Sequence, residues 1–310
     1  MLARRDMFNI DQPATLPPAP RIVCIGDVHG DIGRLIELLK ALLIIDDNTN
    51  WIAEPKNTIV VQLGDQLDSA SRGTTTDWET MPDIEVVRFM DKLDTLARVK
   101  GGRVLSMIGN HELMNVMGDY SYVSAKSMEA SGGHVKRSHM FRNGGHIAQL
   151  LSKRNVVTKI GNIVFCHGGL LPEHLDIVGN CYSIINTTMR RYLRAQPLSQ
   201  YENAVFVNLI LNENAVLWTR KYFDLLTSEN YEQLNTIIKD VCSRLNAKSI
   251  IVGHNTVSHI TPAADGALWL VDAALSRSYD SSINEVLEIL YDDDPNRITA
   301  FRVIRMDKTV

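Results

Sequence analysis

Arg21-Ile22-Val23-Cys24-Ile25-Gly26-Asp27-Val28-His29-Gly30 is the stretch on which the reading of this chain turns. A run suited to a buried strand enters a glycine-flanked turn that carries an aspartate and a histidine. Glycine allows a sharp turn and a close backbone approach, so Asp27 and His29, two apart, can face one centre. Four later segments repeat the theme: Gly64-Asp65-Gln66-Leu67-Asp68, Gly109-Asn110-His111-Glu112, His167-Gly168-Gly169 and Gly253-His254-Asn255. Most of the five directly follow an apolar, strand-like run.

Between these segments the pattern alternates. Residues 32–43 place Leu35, Leu38, Leu39 and Leu42 at helical spacing, and residues 84–99 do the same with Val87, Met90, Leu93 and Leu96. Strand-like runs at 21–25, 59–63 and 103–108 separate them, which predicts a βαβαβ order and a largely parallel sheet. Residues 69–82 read as a polar loop and residues 114–150 as helical or irregular. Gly161 between two apolar runs predicts a hairpin. Residues 181–245 read as helices, and strand character returns at 249–252, 267–271, 286–291 and 298–304. The expected fold class is α/β: a central two-sheet β-sandwich flanked by helices, as a single catalytic domain over residues 21–310. Residues 1–20, with Pro13, Pro17, Pro18 and Pro20, read as a proline-rich N-terminal leader or strap.

Composition narrows the function classes. The chain has 310 residues, of which 45% are hydrophobic and 22% charged, as in an ordinary globular protein. A net charge of −4 gives no reason to expect a nucleic-acid partner. Arg190, Arg191 and Arg194 read as the solvated face of a helix. Cys24, Cys166, Cys181 and Cys242 show neither a paired framework nor finger spacing, which fits a reducing compartment. The first residues lack the apolar core of a secretory signal, and no run is long enough to span a bilayer. A soluble, intracellular, cytoplasmic protein without a membrane partner is expected.

The five segments supply Asp27, His29, Asp65, Asn110, His167 and His254 as candidate ligands. A carboxylate can bridge two ions, an amide offers a neutral oxygen, and imidazoles offer nitrogen. Mixed oxygen and nitrogen donors suit manganese, iron or zinc better than calcium or a thiolate site. One Asp-Gly is usually a turn, and one buried histidine is usually a satisfied core residue. Six such residues, most placed after strands, read as a site for two divalent metal ions.

This order of motifs resembles the calcineurin-like metallophosphoesterases of the phosphoprotein phosphatase type. The stretches Gly109-Asn110-His111-Glu112-Leu113-Met114-Asn115-Val116 and Phe165-Cys166-His167-Gly168-Gly169-Leu170-Leu171-Pro172-Glu173 are similar to the Shewanella-like phosphatase branch. The resemblance covers roughly residues 21–290. It implies that Asp27, His29 and Asp65 hold the first metal, and that Asp65, Asn110, His167 and His254 hold the second. It also implies a metal-bridging hydroxide that attacks phosphorus in line, with His111 as general acid and Asp68 as the partner that orients it.

One position departs from the family pattern. An arginine that grips phosphate is expected directly after Asp68, and Ser69 stands there instead. Arg72 can replace it if the loop bulges. Arg220 and Arg142 are further candidates for phosphate binding. Three functions follow as expectations. The first is a phosphatase acting on phosphoprotein (Ser/Thr or Tyr) or on a small phosphoester. The second is a diadenosine tetraphosphate-type pyrophosphohydrolase, with Trp78 as a base-stacking residue. The third is a catalytically weak, metal-bound scaffold that binds phospho-ligands.

Overall fold

The structure is a computed structural model that describes residues 11–73, 75–279, 284–292, 294 and 297–306. Half of the expected leader, residues 1–10, lies outside the described residues. Eleven strands form two sheets among them. They are β1 (Thr15–Leu16), β2 (Arg21–Ile25), β3 (Ile59–Gln62), β4 (Arg103–Ser106), β5 (Val157–Ile160), β6 (Ile163–Cys166), β7 (Ser249–Val252), β8 (Thr261–Ala263), β9 (Leu268–Leu270), β10 (Glu285–Tyr291) and β11 (Ile298–Arg305). The five-stranded sheet runs β11-β10-β2-β3-β4, and the six-stranded sheet runs β1-β5-β6-β7-β9-β8. β2, β3 and β4 are mutually parallel, with Ile22 opposite Ile59 and Ile59 opposite Arg103. β6, β7 and β9 are parallel in the other sheet. The hairpin expected about Gly161 is the antiparallel β5–β6 pair.

Alternation along each strand sorts the core into layers, because successive side chains point to opposite faces. Ile22, Cys24, Ile59, Val61 and Leu105 meet Ile163, Phe165, Ile251 and Trp269 between the two sheets. Val23, Ile25, Val60 and Val104 face the other way. They pack on Leu35, Leu38 and Leu39 of the helix Ile32–Ala41, and on Val86, Met90 and Leu93 of the helix Ile84–Lys100. Val164, Cys166, Ile250, Val252, Leu268 and Leu270 face an outer layer of helices that includes Ser183–Leu193 and Tyr231–Arg244. Every strand that precedes a candidate motif is therefore buried on both faces, and only its carboxyl end is open for chemistry. Ligands gather at the carboxyl ends of strands in parallel sheets for this reason.

Two features depart from expectation. Part of the leader is a sheet strand: Lys159 N–H donates to Ala14 O at 2.9 Å and Gly161 N–H to Leu16 O at 3.0 Å. The Arg190/Arg191/Arg194 cluster is not a solvated face. Arg190 and Arg194 pair with Asp11, and Arg190 also donates to Gln12 O at 2.8 Å. The helix thus ties down the leader, a partner that helical periodicity does not reveal. No helix among the described residues is long and apolar enough to cross a membrane.

Candidate metal centre

Asp27 and His29 follow β2, Asp65 follows β3, Asn110 follows β4, His167 follows β6 and His254 follows β7. The two sheets bring these strand ends together. The donor atoms of Asp65, His167 and His254 lie within 4.8 Å of one another, and so do those of His29, Asp65 and His111. Asp65 belongs to both groups. His167 Nε2 sits 3.3 Å from Asp65 Oδ2 and 2.9 Å from Asn110 Oδ1. Asp27 Oδ2 is 3.9 Å from His29 Nε2, and the Asp27 carboxylate accepts the His254 N–H at 3.2 Å. All six expected ligands are buried and share this pocket.

The backbone is held in costly conformations to achieve this. His29, Asp65, Asp68 and His254 have φ of 42°, 51°, 68° and 65°. Left-handed φ at non-glycine residues costs of order 1–3 kcal/mol each and persists where the surroundings over-determine it. Glu112 supplies much of that restraint. Its buried carboxylate accepts the N–H groups of Asp65, Gln66, Leu67 and Gly109 at 2.9, 2.8, 3.3 and 2.8 Å. The two loops that present Asp65 and Asn110 are thereby stapled to each other. Gly109 is required at their contact, since a Cβ there would lie 2.2 Å from Asp65 Oδ1.

The ring tautomers are fixed by what each histidine faces. A carbonyl oxygen only accepts, so the nitrogen beside it carries the proton. His29 Nδ1 faces Leu67 O at 3.1 Å, His167 Nδ1 faces Leu63 O at 2.8 Å, and His254 Nε2 faces Trp218 O at 3.0 Å. His29 and His254 keep the other nitrogen bare for an ion, the arrangement usual in metal-ligating histidines, while His167 turns Nε2 to the oxygens of Asp65 and Asn110. His111 differs. Its Nδ1 lies 2.8 Å from Asp68 Oδ2, so a carboxylate backs it instead of a carbonyl.

The electrostatics describe a pocket short of positive charge. Among the described residues, Asp27 and Asp65 touch histidines and backbone N–H groups but no lysine or arginine. Burial, then repulsion from Asp272 and Asp65, pushes the Asp27 carboxyl well above the usual range. Burial also opposes charge on Asp65, yet His167, His111 and His29 outweigh it and hold that carboxyl well below its usual range. His167 is recruited as the cation: burial disfavours its charge, but Asp65 and Asp27 carry it up to about 10. His254, buried beside His167, is pushed down to about 3. Divalent cations would relieve this competition, and oxygen donors with bare imidazole nitrogens suit them.

A cavity of about 510 Å³ opens onto the cluster, lined by Arg72, Asn110, His111, His254 and Arg220 on the polar side and by Met114, Tyr122 and Trp218 beside them. Arg72 reaches it because the chain bulges over Ser69-Ala70-Ser71. Asp68 and Ser71 take left-handed φ of 68° and 59°, and Gly73 takes 118°. Ser69 turns inward to Glu79. Arg72 Nε donates to Asp68 O at 3.1 Å, Nη1 to Tyr279 Oη at 3.1 Å, and Nη2 to His111 Nε2 at 2.7 Å. The guanidinium also lies 5.3 Å from the Tyr122 ring centroid. Arg220 Nη1 donates to Asn255 Oδ1 at 2.8 Å. Arg142 is not brought to the cavity: it is exposed and ends the helix His134–Phe141. Sequence reasoning missed Tyr122, Tyr279 and Trp218, whose positions carry no local signal.

A sandwich with this cluster at its strand ends defines a metal-dependent phosphoesterase. Residues 20–257 match the calcineurin-like phosphoesterase family, and the chain belongs to it. That family uses a dinuclear divalent metal centre, and the chain is a phosphatase that hydrolyses phosphoric monoesters. It is similar to Shewanella-like protein phosphatase 2 of Arabidopsis thaliana, at 27% identity over 90% of this chain and 78% of the relative. It is also similar to Shewanella-like protein phosphatase 1 of Plasmodium berghei, at 28% identity over 92% and 74%. A crystal structure of a cold-active protein-tyrosine phosphatase from a psychrophilic Shewanella superposes with a TM-score of 0.75 and 25% identity, covering 94% of this chain and 80% of the other.

Proposed function

We propose that this phosphatase acts on phosphoprotein and takes phosphotyrosine in preference to phosphoserine or phosphothreonine. The observation that carries the reading is the apolar lining of the cavity: Tyr122, 5.1 Å from the His111 ring and 5.3 Å from the Arg72 guanidinium, together with Met114 and Trp218. An aryl leaving group would lie against it while its phosphate meets the polar floor. The likeness to the Shewanella protein-tyrosine phosphatase supports the same substrate class. Asp27, His29 and Asp65 would hold one ion, and Asp65, Asn110, His167 and His254 the other, with manganese, iron or zinc as the metals. When bound, such ions polarise phosphoryl oxygens and lower the pKa of water.

The remaining work falls to the chain. Arg72 grips the phosphoryl oxygens; in doing so it leaves His111 Nε2, which is then open to hold a proton for the leaving oxygen. Asp68 keeps the ring turned to the cavity. Arg220 supplies a second guanidinium to the same cavity. We place the enzyme in a reducing, cytoplasmic setting, since its four cysteines are unpaired. The diadenosine tetraphosphate reading lacks its residue: Trp78 packs under Arg277 at 5.3 Å and does not line the cavity. The scaffold reading loses its motive, because an arginine stands at the site after all.

With manganese added, kcat/KM on a phosphotyrosine peptide should exceed that on matched phosphoserine and phosphothreonine peptides by about tenfold or more. It should also exceed that on diadenosine tetraphosphate. Comparable values on the three peptides would end the tyrosine assignment. Arg72→Ala should lower kcat/KM by roughly 10- to 100-fold, the worth of a charge-assisted hydrogen bond or two, mainly through KM. An unchanged kcat/KM would remove Arg72 from the site.

A further inference from the structure

Arg137 is fully buried on the helix His134–Phe141, distant in sequence from every motif above. Its fork binds Asp83, with Nη1 to Oδ1 at 3.1 Å and Nη2 to Oδ2 at 2.8 Å. Its Nε donates to Asn115 Oδ1 at 2.9 Å. Asn115 in turn donates from Nδ2 to Asp68 Oδ1 at 2.9 Å and to His111 O at 3.0 Å. Asp68 Oδ2 then meets His111 Nδ1 at 2.8 Å.

Each link in this row has one direction. A guanidinium has only donors, so the Asn115 oxygen must face Arg137 and its NH₂ must face Asp68. A flipped amide would set N–H against N–H and oxygen against carboxylate. Asp68 is thus held by one oxygen, and its other oxygen is left as an acceptor for His111. That fixes the proton on Nδ1 and turns Nε2 to the cavity. We propose that Arg137, acting through Asn115, is the positioning residue that sets the orientation of His111. The inference rests on His111 serving as the general acid. In that step a water oxygen bonds to phosphorus and gives up a proton to solvent, the bond from phosphorus to the leaving oxygen breaks with its electron pair staying on that oxygen, and the leaving oxygen takes the proton from Nε2.

A merely structural role for Arg137 and Asn115 would slow all substrates alike, whereas misplacing the acid hurts poor leaving groups most. Asn115→Asp keeps an acceptor for Arg137 but removes the donor to Asp68. Arg137→Lys keeps the charge but not the fork. With manganese bound, Asn115→Asp should lose roughly 10- to 100-fold in kcat on phenyl phosphate, a fraction of what an acid catalyst supplies. Its loss on p-nitrophenyl phosphate should be several-fold smaller, with KM and bound metal unchanged. Arg137→Lys should change the ratio of the two rates in the same direction. If Arg137→Lys does not fold, Asn115→Asp alone decides. His111→Asn, measured alongside, separates the two ideas. If it shows no dependence on leaving group, the general-acid reading falls and this inference with it. If His111→Asn shows the dependence and Asn115→Asp slows both substrates equally, or neither, only the positioning role is overturned.

Discussion

Asp65→Asn should reduce kcat/KM by about 10³-fold or more and lower the bound metal from two ions per chain. Asp65 is the one carboxylate whose oxygens fall in both groups of donors. An amide of the same size offers one oxygen and no charge, so it cannot join two cations. Ions held there would stabilise developing phosphoryl charge by several kcal/mol, and each 1.36 kcal/mol is tenfold in rate. The fold should survive, because an amide oxygen can still accept the His111 N–H now received by Oδ1 at 2.9 Å, and the Glu112 staple is untouched. Elemental analysis and circular dichroism on the purified variant check both halves. Two ions per chain with near-normal turnover would show that Asp65 does not bridge.

His111→Asn should leave both metals bound yet cost about 10²- to 10⁴-fold in kcat on phenyl phosphate or a phosphoserine peptide, the range for a positioned acid. The loss should shrink on p-nitrophenyl phosphate, whose phenolate departs without help. The geometry distinguishes His111 from the other three imidazoles: they back onto carbonyls, and it backs onto Asp68. A carboxylate partner orients the ring toward the cavity, while a carbonyl partner prepares a ligand. Asparagine can still donate to Asp68 but has no proton to deliver. An equal loss on good and poor leaving groups would show that His111 serves the site in some other way.

The candidate metal cluster was legible because its residues sit one to four places after a strand, where the apolar run and a neighbouring glycine both announce them. The same runs announced the parallel order β2-β3-β4 and the helices packed on it. Contacts made over long separations left no such trace. Arg72 was expected at the site only on condition that the loop bulges, because its return to the cavity runs through left-handed turns at Asp68 and Ser71 that neither residue type announces. Its partner Tyr279 lies 207 positions away. Arg137 reads as any basic residue on a short helix until folding buries it against Asp83. Asn115 offered the nearest hint, one helical turn after His111, since residues four apart share a helix face.

β1 carries a consequence for handling the protein. Thr15–Leu16 closes the outer margin of the six-stranded sheet by occupying the amides of Lys159 and Gly161. A protease that trims the chain back to Arg21 would strip that cover while leaving the strands behind it packed. The bared margin of β5 would then offer unpaired donors and acceptors to a second molecule, the usual route to strand-by-strand association. Clipped material should therefore be lost first to self-association, with its catalytic centre still assembled inside the aggregate.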